Sequence, residues 1–405
     1  MPRLCPAATG IMVASLLVSP AMAGSAAFSG ISASANSAET ASNNPAGMTR
    51  LQVPASSVNL SLVNGFGEFK VDQGQSSSGG NPDNEFSPIL IPQAYYVHPL
   101  NEQLTAGISL TVPSGFGSDY GSDWAGRYYT DSYSLVYVAI TPAAAWRINE
   151  QWSVGASLGI NYTSSKSEVA LNTLGARPDG QLSAELDGIG SSFGISALWE
   201  MSERTRFGLV YSAESTTEID GDLKFRNPGP VIGGLLDRGL LPRDLEVEQV
   251  MPQRIIGGVY HQLDDSAFIT VDLAWIEFSE FGVSSVSLGD ARIEIEDGNF
   301  NNIWAGTIGY GFPVSNGRQY SIGAFYLQKP VDDDKRTLAL PLDRIWGVGA
   351  GVSFLRANGH SLDVNLNLAD YGKAPVDSGR SLLRGRVVGE TDNPYAVVIN
   401  TAYHF

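Results

Sequence analysis

Apolar and polar residues alternate along this chain in runs of nine or more, the length a tilted strand needs to cross the hydrocarbon of a bilayer. Leu104, Ala106, Ile108, Leu110 and Val112 alternate with Thr105, Gly107, Ser109 and Thr111. Trp152, Val154, Ala156, Leu158, Ile160 and Tyr162 alternate with Ser153, Gly155, Ser157, Gly159 and Asn161. The same pattern sets Ala267, Ile269, Val271, Leu273 and Trp275 against Thr270, Asp272 and Ala274, and Leu362, Val364, Leu366 and Leu368 against Asp363, Asn365 and Asn367. In each segment one face suits lipid and the other a polar lumen. Weaker segments near residues 57, 90, 133, 189, 205, 254, 301, 319, 344 and 394 bring the total to about fourteen, an even number as in single-chain bacterial barrels. The last of them places Tyr395, Val397, Ile399, Tyr403 and Phe405 on one face and stops on Phe405, as outer-membrane β-barrels do.

The connections sort by length. Short ones at 101–103, 149–151, 202–203, 263–265, 315–317 and 357–359 alternate with long ones. Short turns belong in the periplasm and long loops outside, which puts both termini on the periplasmic side. Trp146, Trp152, Tyr162, Trp199, Trp275, Trp304 and Trp346 sit near strand ends, as interfacial girdles require. An ordinary β-sandwich core is the alternative, but it leaves the loop alternation unexplained. The expected fold is therefore an all-β transmembrane antiparallel barrel of about fourteen strands.

The start of the chain fits the same address. Arg3 gives a positive n-region, residues 7–18 an apolar stretch, and Ala21-Met22-Ala23 a small-residue cleavage site, so residues 1–23 read as a signal peptide and the mature chain begins at Gly24. The one cysteine, Cys5, leaves with it, which excludes disulfide and thiol chemistry in the mature protein. No later run of eighteen apolar residues offers a membrane-spanning helix. The formal charge of −17 argues against a nucleic-acid partner. It suits outer loops bridged to lipopolysaccharide by divalent cations, or loops simply kept solvated.

A barrel of this width cannot fill its bore with its own side chains. Residues 24–50, rich in Ala, Ser, Asn and Gly and without strand periodicity, are available to plug it, with 51–405 forming the wall. The segment ends in Asn43-Asn44-Pro45-Ala46-Gly47-Met48. An N-terminal segment with Asn-Pro-Ala-Gly-Met, followed by a barrel closing on Phe, resembles the FadL family of outer-membrane channels for long-chain fatty acids and other hydrophobic molecules. Val112-Pro113-Ser114-Gly115-Phe116-Gly117, Trp124-Ala125-Gly126-Arg127-Tyr128, Met251-Pro252, residues 274–281 and Leu340-Pro341-Leu342-Asp343-Arg344 extend the likeness over nearly the whole mature chain.

The resemblance implies passive uptake in three stages. Capture falls to the outward segment 214–250, where Val231, Ile232, Leu235, Leu236, Leu240 and Leu241 recur at roughly helical spacing. The segment with Val169, Leu171, Leu174, Leu182 and Leu186 forms the other wall of a groove, or the two segments merely pack on each other. Binding falls to a lumenal cavity with Phe28, Phe66, Phe116 and Trp124 as lining. Arg127 is placed to receive a carboxylate or to pair with an acidic neighbour such as Asp123 or Asp131. Release falls to a hatch centred on Asn44, Pro45, Ala46 and Gly47, and to a sideways opening where Gly107 or Pro92 interrupts a strand ladder.

Other signals lose their force in this frame. Gly-x-Ser-x-Gly occurs at 155–159 and 190–194, but within strands, not at a nucleophile elbow. His98, His261, His360 and His404 lie near periplasmic turns without metal-ligand spacing, Asp332-Asp333-Asp334 lacks an alternating calcium loop, and Gly347-x-Gly349-x-Gly351 is a lumen-facing stripe of small residues. No catalytic residue, metal or cofactor is expected. The expected partners are a hydrophobic ligand, outer-membrane lipid and lipopolysaccharide, and the barrel-assembly machinery reading Phe405. A polar-solute porin and a surface adhesin or receptor are the competing readings.

Overall fold

The computed structural model describes residues 26–77, 79–82, 88–173, 178–264, 267–295, 300–381 and 383–405, so the signal-peptide reading of residues 1–23 lies outside the described residues. The alternating segments become strands β1 (Ala55–Val71), β2 (Ile89–Pro99), β3 (Leu104–Asp119), β4 (Ser132–Arg147), β5 (Trp152–Leu171), β6 (Gly180–Glu200) and β7 (Thr205–Ser212). Then follow β8 (Ser215–Arg226), β9 (Asp244–Met251), β10 (Arg254–Gln262), β11 (Phe268–Ile276), β12 (Gly282–Leu288) and β13 (Ala291–Glu294). The last are β14 (Ile303–Gly311), β15 (Arg318–Leu327), β16 (Ile345–Leu355), β17 (Ser361–Asp370), β18 (Val376–Asp377) and β19 (Val388–His404).

Fourteen of them, β1–β7, β10, β11, β14–β17 and β19, pair antiparallel in sequence and close when β19 runs back along β1 from Ser57↔His404 to Val71↔Gly389. Closure gives every wall strand a partner on both sides and so keeps open sheet edge in the hydrocarbon to a minimum, where an unpaired backbone group would cost several kcal/mol. The short connections all fall at the end where Ser56 and Phe405 exchange backbone hydrogen bonds. On β5, Leu158 and Ile160 are 58% and 59% exposed, whereas Asn161 and Thr163 are at 0%. That contrast is the signature of lipid outside and a filled bore inside. Stacked rings of Trp152, Trp199 and Phe207, 5.5 and 5.3 Å apart, form part of the periplasmic girdle.

The outer half departs from the simple cylinder. Strands β5 and β6 pair over their whole length, from Trp152↔Trp199 to Leu171↔Gly180. About ten residues suffice to span the membrane, so their upper halves stand clear of it. There β6 exchanges β7 for β8, and β9, β12 and β13 extend the sheet around Leu186, Ile219 and Val247. The segment 214–250 is therefore mostly strand, with a helix Gly229–Asp237 at its tip. Val169, Leu171, Leu182 and Leu186 likewise lie on paired strands, not in a loop; Leu174 lies outside the described residues. Among the described residues no helix is long and apolar enough to cross a membrane.

Candidate functional site

Residues 26–50 lie inside the bore, and the wall is shaped for them. On seven strands a lumen-facing glycine meets the segment: a Cβ on Gly107 would overlap Met48 Sδ, on Gly155 the Pro45–Ala46 backbone, on Gly208 the carbonyl of Ser32, on Gly309 Ser29 Oγ and on Gly349 the backbone of Ala27, with Gly258 and Gly323 placed alike against Ser32 and Ala27. The small-residue stripe is thus a seat. We expect Gly208→Val to dislodge the segment, detected as faster proteolysis of the N-terminus in folded barrels. Gly257→Ala, whose new methyl would find its nearest neighbour 3.8 Å away, should change nothing.

Directional bonds then fix the segment's register. Asp272 on β11 accepts hydrogen bonds from the backbone N–H groups of Gly30, Ile31 and Ser32 and from Ser32 Oγ, at 2.5–3.2 Å. Asn367 Oδ1 accepts from Ala27 N–H at 2.7 Å, and Ser196 Oγ from Ala46 N–H at 2.9 Å. Arg206 donates to the carbonyls of Ala33 and Ser34, Arg147 to that of Thr49, and Arg50 pairs with Glu200. Asn44 is fully buried between Pro45–Arg50, a 3-10 helix, and the short helix Thr40–Asn43; its Nδ2 donates to the carbonyls of Ser32 and Ala197. Gly47 packs on Ala35 with no room for a side chain. Ala27, Phe28 and Ala35 hold φ of 52°, 55° and 44°, a left-handed conformation that costs non-glycine residues about 1–2 kcal/mol each. The wall, not the segment's own preference, holds this shape. Below it a polar cavity of about 370 Å³, bounded by Glu39, Asn43, Asp363 and His404 among others, leaves room for movement toward β15–β17.

Above the segment the bore is apolar. Phe28 packs edge-on against Phe325 at 5.3 Å, within a buried cluster that includes Leu135, Ile276, Phe278, Phe281, Ile303, Leu327, Leu342, Ile345 and Val398 and so reaches from β4 across to β11, β14–β16 and β19. A narrow cavity remains between Ile31, Ile256, Ile276, Ala305 and Phe325. Arg254 lines it too, and the one side-chain partner of that guanidinium is Ser212 Oγ at 3.4 Å, with no carboxylate in ion-pair range among the described residues. This is the lumenal cation the sequence reading missed, because it stands at the first position of a strand without distinctive neighbours.

The other expected site residues scatter. Phe66 stacks on Tyr395 at 4.7 Å, and Tyr395 is 46% exposed on the lipid side, so Phe66 does not line the bore. Phe66 belongs to the outward set of β1 with Val58, Leu60 and Leu62, whereas Phe69 falls on the inward set with Ser57, Asn59 and Ser61; the register shift between Phe66 and Glu68 adds its extra residue on β19, beside Asn393. Trp124 is buried in the extracellular cap against Phe69 and Tyr120, well removed from Phe28 in the other cluster. The Trp-x-Gly-Arg-Tyr spacing is a packing device there, since the indole covers the spot a Cβ on Gly126 would take. Arg127 Nε donates to Asp179 Oδ2 at 2.9 Å, with Tyr128 OH on the same oxygen. Its acidic partner is Asp179, neither Asp123 nor Asp131. Phe116 lies on β3 with its side chain outside the described residues. Val231, Ile232, Leu235 and Leu236 ride on Gly229–Asp237, which buries no residue, and Leu240 follows it at 61% exposure.

Among the described residues the wall splits between β2 and β3. β2 and β3 pair from Pro99↔Thr105 only to Ala94↔Leu110, while β2 continues to Ile89 along β1 and β3 continues to Asp119 along β4. The cause is a bulge at Val112-Pro113, where β3 skips register against β4. Gly107 pairs regularly and seats Met48, so it is not the interruption; Pro92 does lie in the stretch of β2 that β3 has left. Among the described residues no group of three or more His, Cys, Asp or Glu side chains is arranged to hold a metal ion.

The family model described as "Outer membrane protein transport protein (OMPP1/FadL/TodX)" matches residues 4–405. The long-chain fatty acid transport protein of Escherichia coli O6:H1 is 24% identical over 385 residues, covering 87% of this chain and 85% of the relative. Among solved structures, a Pseudomonas aeruginosa FadL homologue superposes with a TM-score of 0.80 at 20% identity, covering 98% of both chains. The Ralstonia pickettii toluene transporter TbuX gives 0.67 at 17% identity, covering 94% and 96%.

Proposed function

Because the chain belongs to the OMPP1/FadL/TodX family of outer-membrane transport proteins, we propose that it admits hydrophobic small molecules such as long-chain fatty acids without chemical transformation. The observation that carries this reading is the wall-to-wall apolar layer in the bore, resting on a separately seated N-terminal segment. A water-filled porin has no use for such a layer. An adhesin acting through its loops has none either.

In this reading Gly229–Asp237 and Leu240 collect ligand at the outer surface, since exposed apolar clusters mark binding surfaces. The ligand then parts Phe28 from Phe325 and settles with its tail in the apolar layer and any acidic head on Arg254, whose fork suits two oxygens. Residues 24–50 act as the hatch, with Asn44, Pro45, Ala46 and Gly47 at its pivot. The β2–β3 split supplies a sideways exit into lipid. Outer-membrane lipid surrounds the wall, lipopolysaccharide meets the acidic outer strands through divalent cations, and the assembly machinery reads Phe405.

Uptake of labelled oleate and of a neutral aromatic hydrocarbon by cells lacking other such channels tests the proposal. Val231→Asp with Leu235→Asp should lower uptake roughly tenfold at limiting ligand, because each lost apolar contact is worth about 1.5–3 kcal/mol when buried. Rapid flux of sugar-sized solutes with no hydrophobic uptake would replace the reading with a porin.

A further inference from the structure

Loop 120–131 lies at the extracellular end between β3 and β4. Its Trp124 is 1% exposed and donates from Nε1 to the carbonyl of Thr130 at 2.9 Å. Tyr120 OH reaches the carbonyl of Leu338, Tyr129 OH that of Gly385, and Ala125 N–H that of Gly80, so the loop is joined to three others across the opening. The loop ends on Asp131, which ties two strand tops together: its N–H donates to the Glu168 carbonyl at 2.8 Å, and its own carbonyl accepts from Tyr120 N–H at 2.7 Å.

The side chain of Asp131 does not match that structural duty. The residue is 4% exposed, and Oδ1 is buried with no hydrogen-bond partner among the described residues. The charged groups facing it are Glu168 on β5, Asp119 on β3, Asp179 before β6 and Arg127 in its own loop. Arg127 is committed elsewhere, to Asp179, Tyr128 OH and the carbonyl of Trp124. Among the described residues a carboxylate here meets three like charges and no free cation.

We propose that Asp131 is a proton-sensitive fastener of the extracellular cap: uncharged, it allows loop 120–131 to pack, and ionised, it loosens the loop and the Trp124 lid over the bore. Burial, reinforced by Glu168, pushes its carboxyl up to about 7 from an ordinary value of 3.8. An opened loop would return it toward the ordinary value. The closed cap therefore binds the proton more tightly than the open one, so cap stability falls as pH rises from about 4 to about 7 and stays low above that.

Hydrogen–deuterium exchange on the full-length protein in detergent, at pH 5.5 and 8.5 and corrected for intrinsic exchange, reads this directly in peptides covering 120–131. The wild type should open at least about tenfold more at pH 8.5. Asp131→Asn should remove the dependence, and Glu168→Gln should move its midpoint to lower pH by removing a neighbouring charge. Equal protection at both pH values, or a dependence retained in Asp131→Asn, overturns the proposal. Should Asp131→Asn fail to assemble, as judged by loss of heat-modifiable migration, Glu168→Gln decides, and an unmoved midpoint overturns it. The result is independent of whether hydrophobic uptake is found.

Discussion

Asp272→Ala should unseat residues 26–36 while leaving the barrel closed. The carboxylate collects three consecutive amides and the Ser32 hydroxyl of the segment, together with Thr307 Oγ1 of the neighbouring strand at 3.3 Å. Hydrogen bonds to a charged group contribute about 1.5–3 kcal/mol each, and buried amides left without a partner cost a similar amount. Losing the group therefore removes roughly 5 kcal/mol or more from the seating of a stretch that already carries the left-handed strain at Ala27, Phe28 and Ala35. Against that loss stand the Asn367 and Arg206 contacts, the Thr270 hydroxyl on Ser29 Oγ and the Asn44 amide on the Ser32 carbonyl, none of which satisfies the amides of residues 30–32. The wall itself keeps its ladder, because Asp272 pairs through its backbone with Gly258 and Thr307. Single-channel conductance in planar bilayers should rise severalfold, with heat-modifiable migration unchanged. Asp272→Asn, which keeps one acceptor oxygen, should fall between. Conductance and N-terminal proteolysis indistinguishable from wild type would show that the glycine seats alone retain the segment.

What the sequence disclosed follows the kind of force involved. Lipid imposes a repeated constraint on every strand, so the period-2 pattern, the fourteen strands and the six short turns were readable in advance, as was a segment left over to enter the bore. Contacts made once are not periodic. Phe66 stands on the lipid side of the same alternation that carries Val58, Leu60 and Leu62 outward, so its aromatic character alone does not make it a lining residue, and Phe69 on the opposite face is the one that turns inward. Asp179 lies 52 residues from Arg127 and meets it only because β5 and β6 rise so far above the membrane. Strand β8 carries a plain alternation, Thr217, Ile219 and Leu223 against Glu218, Asp220 and Asp222, with Ile219 buried against Leu186 and Val247, yet its acidic outer face and the neighbouring helix made it look like loop. Asp272 and Arg254 resemble any other lumenal polar residue until the partner of one, and the lack of an acidic partner for the other, are seen.

Arg254→Met should separate recognition of the head from recognition of the tail. Methionine keeps the length and apolar stem of the side chain while removing the guanidinium, so the cavity between Ile31, Ile256 and Phe325 keeps its filling. If the lumenal site holds an acid, the wild type binds it through a charge-assisted, two-oxygen contact in an apolar surround, where such a contact is stronger than in water. Its removal should weaken binding of a long-chain fatty acid by about 10–100-fold, corresponding to roughly 1.5–3 kcal/mol. Binding of the matching methyl ester or alkane should stay within about twofold or tighten slightly, since a more apolar wall no longer has a cation to desolvate. Calorimetry on purified protein with each ligand pair measures both arms. Equal losses for acid and ester would mean that Arg254 only shapes the wall, and no loss for either would place the head elsewhere. A wild type that already prefers the ester or alkane would assign the protein to neutral hydrocarbons, with Arg254 waiting on Ser212 and the substrate passing it by.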